Sequence, residues 1–184
     1  MAECKGLGVE FVQRRLESIS ELDTEWYAAI VNCCGLGAVE LVGDKNMDPI
    51  RGQVVRVKSP HTKACYFFDD SYIIPNLDWV VVGGTAQKGN WSTDNSIADT
   101  KRILDDVCNV FPSIGQLPVH SVWAGLRPWR SELRLEQEDR GALAPIIHNY
   151  GHGGSGITVG MGCAVQILDD YLEKIIANPP QSRL

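Results

Sequence analysis

The residues best suited to chemistry form a glycine-rich turn near the end of the chain. Residues 151–156, Gly-His-Gly-Gly-Ser-Gly, match the spacing G-x-G-x-x-G between a predicted strand and a predicted helix. Such a turn presents backbone N–H groups and a positive helix end to an electron-rich ligand. The helix and the tail use all the residues that follow, so the second parallel strand of a dinucleotide-binding unit has no room. We expect the turn either to close over a cofactor held by other strands or to be only a close-packed helix start.

Arg127 is the second candidate, because strand alternation places it among apolar side chains. Its predicted face also carries Trp129, Leu133 and Leu135. The other face carries charged side chains that we expect to be solvated: Arg130, Glu132, Arg134 and Glu136. A buried cation without a partner costs several kcal/mol, about 3–5 by measured cases. Arg127 therefore needs an anion, which is either an internal carboxylate or the carboxylate of a substrate gripped by two hydrogen bonds.

Metal chemistry has weak support in the sequence. The six cysteines form no C-x-x-C pair, and we interpret them as reduced thiols. His148 and His152 flank the glycine turn without a third ligand nearby. We expect no metal site.

The elements that position these residues predict an α+β fold with a largely antiparallel sheet. We predict strands over residues 8–12, 27–32, 51–57, 119–125, 131–136 and 144–150, a hairpin of 71–74 with 79–82, and a helical turn over 17–22. We predict amphipathic or apolar helices over 96–108, capped by Asp94 or Ser96, and over 157–177.

Composition narrows the classes of partner. The 184 residues are 44% hydrophobic, which suits one domain with a core. The net charge of −6 and the lack of a basic stripe argue against nucleic acid and anionic membranes. No apolar run approaches the ~20 residues that span a bilayer. Residues 182–184, Ser-Arg-Leu, are a conservative variant of a peroxisomal address, which predicts the peroxisomal matrix and an import receptor as partner; the alternative is a frayed polar tail.

Several motifs in one order resemble the FAD-dependent D-amino-acid and D-aspartate oxidases, from about Phe11 to the C-terminus. They are residues 125–128 (GLRP), 134–136 (RLE) and 148–158, preceded by 32–33, 51–53, 72–75 and 89–91. The resemblance implies one truncated domain over residues 1–184. Within it, residues 10–50 and 144–177 would be flavin-domain elements and residues 51–143 substrate-domain elements. The family's N-terminal βαβ unit is missing, so we expect a fragment or splice form that binds FAD weakly.

The resemblance also implies roles for particular residues. Arg127 would grip the substrate carboxylate, Tyr72 would donate its hydroxyl to the same group, and the Gly154 carbonyl would accept from the substrate amine. Backbone around the turn would contact FAD, at Gly153, Gly154, Ser155, Gly156, Ile157 and Thr158. Leu16 and Cys34 match further FAD contacts, the first through backbone. No acid or base residue is implied.

The implied reaction oxidises a D-amino acid with molecular oxygen to a 2-oxo acid, ammonia and hydrogen peroxide. Residues 35–38, 41–44 and 84–89 resemble the D-aspartate oxidases, which favours acidic substrates. The arginine that those enzymes use for the side-chain carboxylate is missing near Cys65; Lys63, His61 or Arg130 could replace it electrostatically. Oxidation of neutral D-amino acids and a catalytically inactive peroxisomal module remain alternatives, and a homodimer is left open.

Overall fold

An eight-stranded, largely antiparallel sheet organises the chain in the computed structural model, which describes residues 1–22 and 26–177. The strand order is β1-β8-β7-β2-β5-β4-β3, and β6 pairs with Ile50 and Arg51 of β2 outside this order. The strands are β1 (Ile30–Asn32), β2 (Met47–Val57), β3 (Tyr66–Phe68), β4 (Ser71–Pro75), β5 (Val80–Gly83), β6 (Gln87–Lys88), β7 (Val119–Glu138) and β8 (Ile146–His152). β1 pairs in parallel with β8 and the other pairings are antiparallel, so the predicted fold class is confirmed.

The two longest α-helices are α3 and α4, and α3 packs across one face of the sheet. They are α1 (Ala2–Gly6), α2 (Ala38–Leu41), α3 (Ile97–Val110), α4 (Gly156–Ile167) and α5 (Glu173–Ala177). A π-helical turn, Leu168–Leu172, joins α4 to α5, so the predicted last helix is confirmed with one irregular turn. Short 3₁₀ turns cover Ile19–Leu22, Gly35–Gly37 and Pro112–Gln116. None of the described helices is long and apolar enough to cross a bilayer.

The main core lies between α3 and one face of β2, β4 and β5. Alternate residues of these strands, including Val55 and Val82, pack against Ile103 and Val107 of α3. Ser96 caps the helix, since its side chain accepts a hydrogen bond from the Asp99 N–H at 3.1 Å. The predicted hairpin and the predicted helix over 96–108 are therefore confirmed.

A buried arginine, Arg51, lies on the same face of β2 and is 2% exposed. Its Nη1 donates to Asp99 Oδ2 at 2.9 Å and to Gln87 Oε1 at 2.9 Å. Its Nη2 donates to Gln53 Oε1 at 2.7 Å and to the Asp94 carbonyl. Because every partner is on β2, on β6 or near the start of α3, this network ties the helix to the sheet.

Three expectations about strands need correction. Residues 8–12 are not a strand: among the described residues no strand pairs with them, and a strand without a partner leaves its backbone groups unmet. Residues 119–125 and 131–136 are one continuous strand, β7. The predicted strand over 27–32 shortens to β1, and the short elements α2, β3 and β6 were not predicted.

The prediction of a solvated charged face on β7 was wrong for two of its arginines. Arg130 and Arg134 are each only 17% exposed at the side chain. Arg130 Nε donates to Asp44 at 3.1 Å, while Arg134 Nη1 donates to the Tyr150 hydroxyl at 2.8 Å. The register of β7 against β8 shifts between Trp129 and Arg134, which breaks simple alternation. Leu133, which was predicted on the apolar face, is exposed.

Candidate functional site

Arg127 lies on the face of the sheet opposite α3. It pairs with Ile50 across β2, and its guanidinium lies directly over Gly52. A Cβ at Gly52 would be 2.1 Å from Arg127 Nη1, so only glycine leaves room for this placement. Arg127 Nη1 donates to the Thr85 carbonyl at 3.1 Å. None of the ion pairs found within residues 1–22 and 26–177 includes Arg127, so an internal carboxylate does not neutralise it there.

Tyr72 occupies the same face in β4, and it too lies over glycine. Gly83 is its cross-strand partner in β5, and a Cβ at either Gly83 or Gly84 would lie 2.7 Å from the Tyr72 hydroxyl. Arg127 and Tyr72 line one cavity of about 260 Å³. Its other lining residues are Gly52, Val54, Arg56, Val81, Trp123, Gly125 and Leu126. The structure therefore brings two of the predicted substrate-binding side chains to one cavity.

The glycine turn lies beside Arg127. A Cβ at Gly154 would be 3.6 Å from Arg127 Cδ, and the Gly153 N–H donates to the Pro128 carbonyl at 2.7 Å. Gly151 and Gly153 have φ values of 96° and 57°, a left-handed conformation that other residues rarely adopt. α4 begins at Gly156, so the first N–H groups of the helix have no partner within it. The Ile157 side chain is fully exposed, which leaves this helix start accessible.

Leu16 and Cys34 meet at a second cavity of about 340 Å³. The Cys34 N–H donates to Asn32 Oδ1 at 3.1 Å, which fixes the chain as it leaves β1. A Cβ at Gly35 would lie 3.4 Å from Pro128 Cβ, and Pro128 is also the residue whose carbonyl holds Gly153. The loop after β1 and the glycine turn therefore flank the same residue of β7.

Polar groups behind the site have shifted pKa values. Burial raises the pKa of Tyr150 to about 12, and its hydroxyl donates to Asp44 at 2.8 Å. Burial opposes ionisation of Asp44, but hydrogen bonds from the Asn46 N–H and Tyr150 and the charge of Arg130 lower its pKa below the ordinary value. Burial lowers the pKa of His148, against the opposing effect of a 3.1 Å contact with Glu138. None of these groups lines the cavity of Arg127.

The sequence interpretation missed several residues of the cavity. Arg56 and Trp123 line it, and Thr85 orients Arg127. Strand alternation could have identified Arg56, because it has the same parity in β2 as Gly52. Across the described part of the chain, no group of three or more His, Cys, Asp or Glu side chains is placed to hold a metal ion.

The FAD dependent oxidoreductase family matches residues 1–169 of the chain. The glycine turn, the start of α4 and the cavity of Arg127 all lie within the matched residues. The chain belongs to this family of oxidoreductases, whose cofactor is FAD.

Curated relatives fall into two named groups. The chain is 42% identical over 157 residues to a D-amino acid oxidase of Dugesia ryukyuensis, covering 80% of the chain and 47% of the relative. It is 37% identical over 169 residues to the D-aspartate oxidase of Homo sapiens, covering 88% and 49%. It is 36% identical over 171 residues to D-aspartate oxidase 1 of Caenorhabditis elegans, covering 89% and 51%. The chain thus spans about half the length of the curated relatives it matches.

Solved structures support the fold. A glycine oxidase from Bacillus cereus ATCC 14579 superposes with a TM-score of 0.67 at 22% identity, over 77% of this chain and 42% of that one. An iminodiacetate oxidase from Chelativorans sp. BNC1 superposes with a TM-score of 0.68 at 18% identity, over 84% and 44%. The sheet and its flanking helices therefore share the fold of these two oxidases.

The residues present fit a flavin at the glycine turn. Gly153 and Gly154 offer backbone without a side chain, and the exposed start of α4 offers N–H donors. An electron-rich ring there would meet the positive end of the helix. The neighbouring cavity of Leu16 and Cys34 has room for a further part of the same molecule.

Proposed function

We propose that this chain forms the substrate-binding half of an FAD-dependent oxidase of D-amino acids. The overall reaction would convert a D-amino acid, oxygen and water into a 2-oxo acid, ammonia and hydrogen peroxide. One observation carries the proposal: the Arg127 guanidinium has no carboxylate partner among the described residues, and it lies beside Gly154 in the cavity of Tyr72. A partly buried guanidinium with free donors suits a substrate carboxylate.

Three contacts would orient the substrate. Arg127 would hold the carboxylate by paired N–H donors, and the Tyr72 hydroxyl would donate to the same group. The Gly154 carbonyl would accept from the amine. Three fixed points distinguish one enantiomer from the other, and holding the Cα–H in a reactive position supplies much of the rate.

The flavin, when bound, would accept the two electrons released from the substrate and be reoxidised by oxygen. The backbone of Gly153, Gly154, Ser155, Gly156, Ile157 and Thr158 would hold its ring, and Leu16 and Cys34 would contact another part. The N–H groups at the start of α4 would stabilise negative charge that develops there. None of these contributions requires an acid or base side chain, and the described residues that line the cavity of Arg127 include no Asp, Glu or His.

We propose acidic D-amino acids as the preferred substrates, and the peroxisomal matrix as the location. Relatives named for D-aspartate, at 36% and 37% identity, support the first proposal, although a relative named D-amino acid oxidase is more similar at 42% identity. Residues 182–184, which would carry the peroxisomal address and engage the import receptor, lie outside the described residues. Mutating Leu184 to alanine in a fluorescent fusion should move it from peroxisomes to the cytosol, and unchanged peroxisomal fluorescence would contradict the address.

Peroxide release tests the proposed activity directly. The purified 184-residue chain, supplied with excess FAD, should release hydrogen peroxide with D-aspartate or D-alanine but not with the L-enantiomers. Flavin fluorescence measured in parallel reports how much FAD is bound, and we expect weak binding. Arg127→Met should abolish the peroxide signal. Bound FAD without peroxide from any D-amino acid would favour the inactive module.

A further inference from the structure

We infer that Arg56 selects the substrate by binding the second carboxylate of an acidic D-amino acid while Arg127 binds the first. This inference rests on the proposed function, because it assigns the side-chain end of the same substrate. It replaces the missing arginine near Cys65 with a cation from a different strand.

Arg56 reaches the cavity from the same face of β2 that supports Arg127. Gly52, Val54 and Arg56 alternate along this face, and Arg56 is directly opposite Val81 of β5. Arg56 and Arg127 line the same cavity as Tyr72. Tyr72 belongs to β4, which is separated from β2 by β5. The cavity therefore has a cation in each of two regions of its wall.

The surroundings of Arg56 leave it without a partner. Within the described residues, Arg56 makes no hydrogen bond and no ion pair, and it is partly buried. The cavity wall next to it is apolar, formed by Val54, Val81 and Trp123. Removing a cation from water is costly unless an anion compensates. The hydroxyl of Ser121, opposite Arg56 on β7, is likewise buried without a partner in the described chain.

Two cations that line one cavity suit a dicarboxylate. Arg127 lies over Gly52, and four residues of strand, about 13 Å, separate Gly52 from Arg56. Both side chains line the same cavity. A molecule with an α-carboxylate and a side-chain carboxylate can bridge them, whereas D-alanine would leave Arg56 without an anion.

The three cations suggested by the sequence are placed elsewhere. Arg130 already forms an ion pair with Asp44, with 3.1 Å between Nε and Oδ2. Lys63 lines a different cavity, beside Lys58 and Trp79. His61 is an exposed residue of the turn after β2. Arg56 is the cation besides Arg127 that the described lining of the Tyr72 cavity contains.

The experiment compares Arg56→Met with Arg56→Lys and the unchanged chain, with excess FAD. Binding of D-aspartate, D-glutamate and D-alanine is followed by the NMR signal of the Trp123 indole, and turnover by peroxide release. Arg56→Met should weaken binding of the two acidic substrates at least about ten-fold, the loss expected for a charged hydrogen bond. D-Alanine binding should stay the same or improve, and Arg56→Lys should restore part of the loss.

Lys63→Met is the matched control, because it removes an exposed cation from a different cavity. It should leave all three affinities unchanged. Equal weakening of D-aspartate and D-alanine by Arg56→Met, or no weakening of either, would overturn the role of Arg56. Absence of peroxide with every substrate, while the Arg56-dependent binding of acidic substrates persists, would instead contradict only the proposed oxidase activity.

Discussion

Two arginines on opposite faces of the sheet show how the chain separates folding from binding. Arg51 points toward α3 and has four acceptors, including Asp99 and Gln53. Arg127 points away from α3 and donates only to the Thr85 carbonyl among the described residues. Within the described residues, both Nη atoms of Arg51 are used inside the fold and only its buried Nε lacks a partner, whereas Arg127 keeps donors free to bind a ligand.

The two networks meet at Thr85. Its Oγ1 accepts from the Gln53 N–H at 2.8 Å on the Arg51 side, and its carbonyl accepts from Arg127 on the other side. The folding network therefore fixes the acceptor that orients the binding arginine. Changes to each arginine should separate the effects on stability from the effects on ligand binding.

The largest expected effect is on stability. Arg51→Met removes the cation from a buried network and leaves Asp99 and Gln53 without their donor. Breaking a buried pair costs about 3–5 kcal/mol, so the free energy of unfolding measured in urea should fall by that amount. Arg127→Met, the control of matched chemistry, should change it by less than about 1 kcal/mol. Similar losses for both variants would remove the contrast between the two faces.

Gly52→Ala should damage binding with little effect on folding. The added Cβ would overlap the end of the Arg127 side chain, which is flexible enough to move away. We expect D-alanine to bind about ten-fold more weakly by calorimetry, as for the loss of a charged hydrogen bond. Gly6→Ala, where nothing lies within 4 Å of the new Cβ, is the control. Unchanged affinity in Gly52→Ala would mean that the position of Arg127 over this glycine is irrelevant to binding.

A smaller effect is expected at the helix cap of the Arg51 face. Ser96→Ala removes the acceptor for the Asp99 N–H and should lower the free energy of unfolding by about 1 kcal/mol. Ser113→Ala, in an exposed 3₁₀ turn, should have less effect. Because Asp99 is also a partner of Arg51, the Ser96 and Arg51 effects should not be additive. Strict additivity in the double variant would show that cap and network are independent.

The smallest effect is a pH dependence from the polar groups behind the site. Burial holds the pKa of His148 below its ordinary value, so the unfolded chain binds a proton more readily than the folded one. Its contribution to stability should be complete above about pH 6.5 and decline as the pH falls. His148→Gln should reduce the change of the urea unfolding midpoint between about pH 7 and pH 5. The same slope in both proteins would exclude His148 as the cause; its charged neighbours are Glu138, Arg134 and Glu136.

Local patterns predicted those parts of the molecule that depend on local geometry. The glycine turn needs only its own spacing and a helix after it. Alternation along β7 places Arg127 on the same face as Trp123, but the predicted apolar face fails at the exposed Leu133. The prediction of a charged face failed because Arg130 and Arg134 are paired with Asp44 and Tyr150, contacts set by long-range pairing of strands. The same limit applies to Arg56, whose role depends on β2, β5 and β7 being neighbours.

Binding of one small carboxylate tests the central claim most directly. Two separate calorimetric titrations of the chain without FAD, one with D-alanine and one with D-alaninamide, compare two ligands. D-Alaninamide has a neutral amide where D-alanine has its carboxylate. We predict that the unchanged chain binds D-alanine but not D-alaninamide, and that Arg127→Met binds neither. Binding of D-alanine by Arg127→Met with the affinity of the unchanged chain would contradict the assignment of Arg127 as the carboxylate-binding residue.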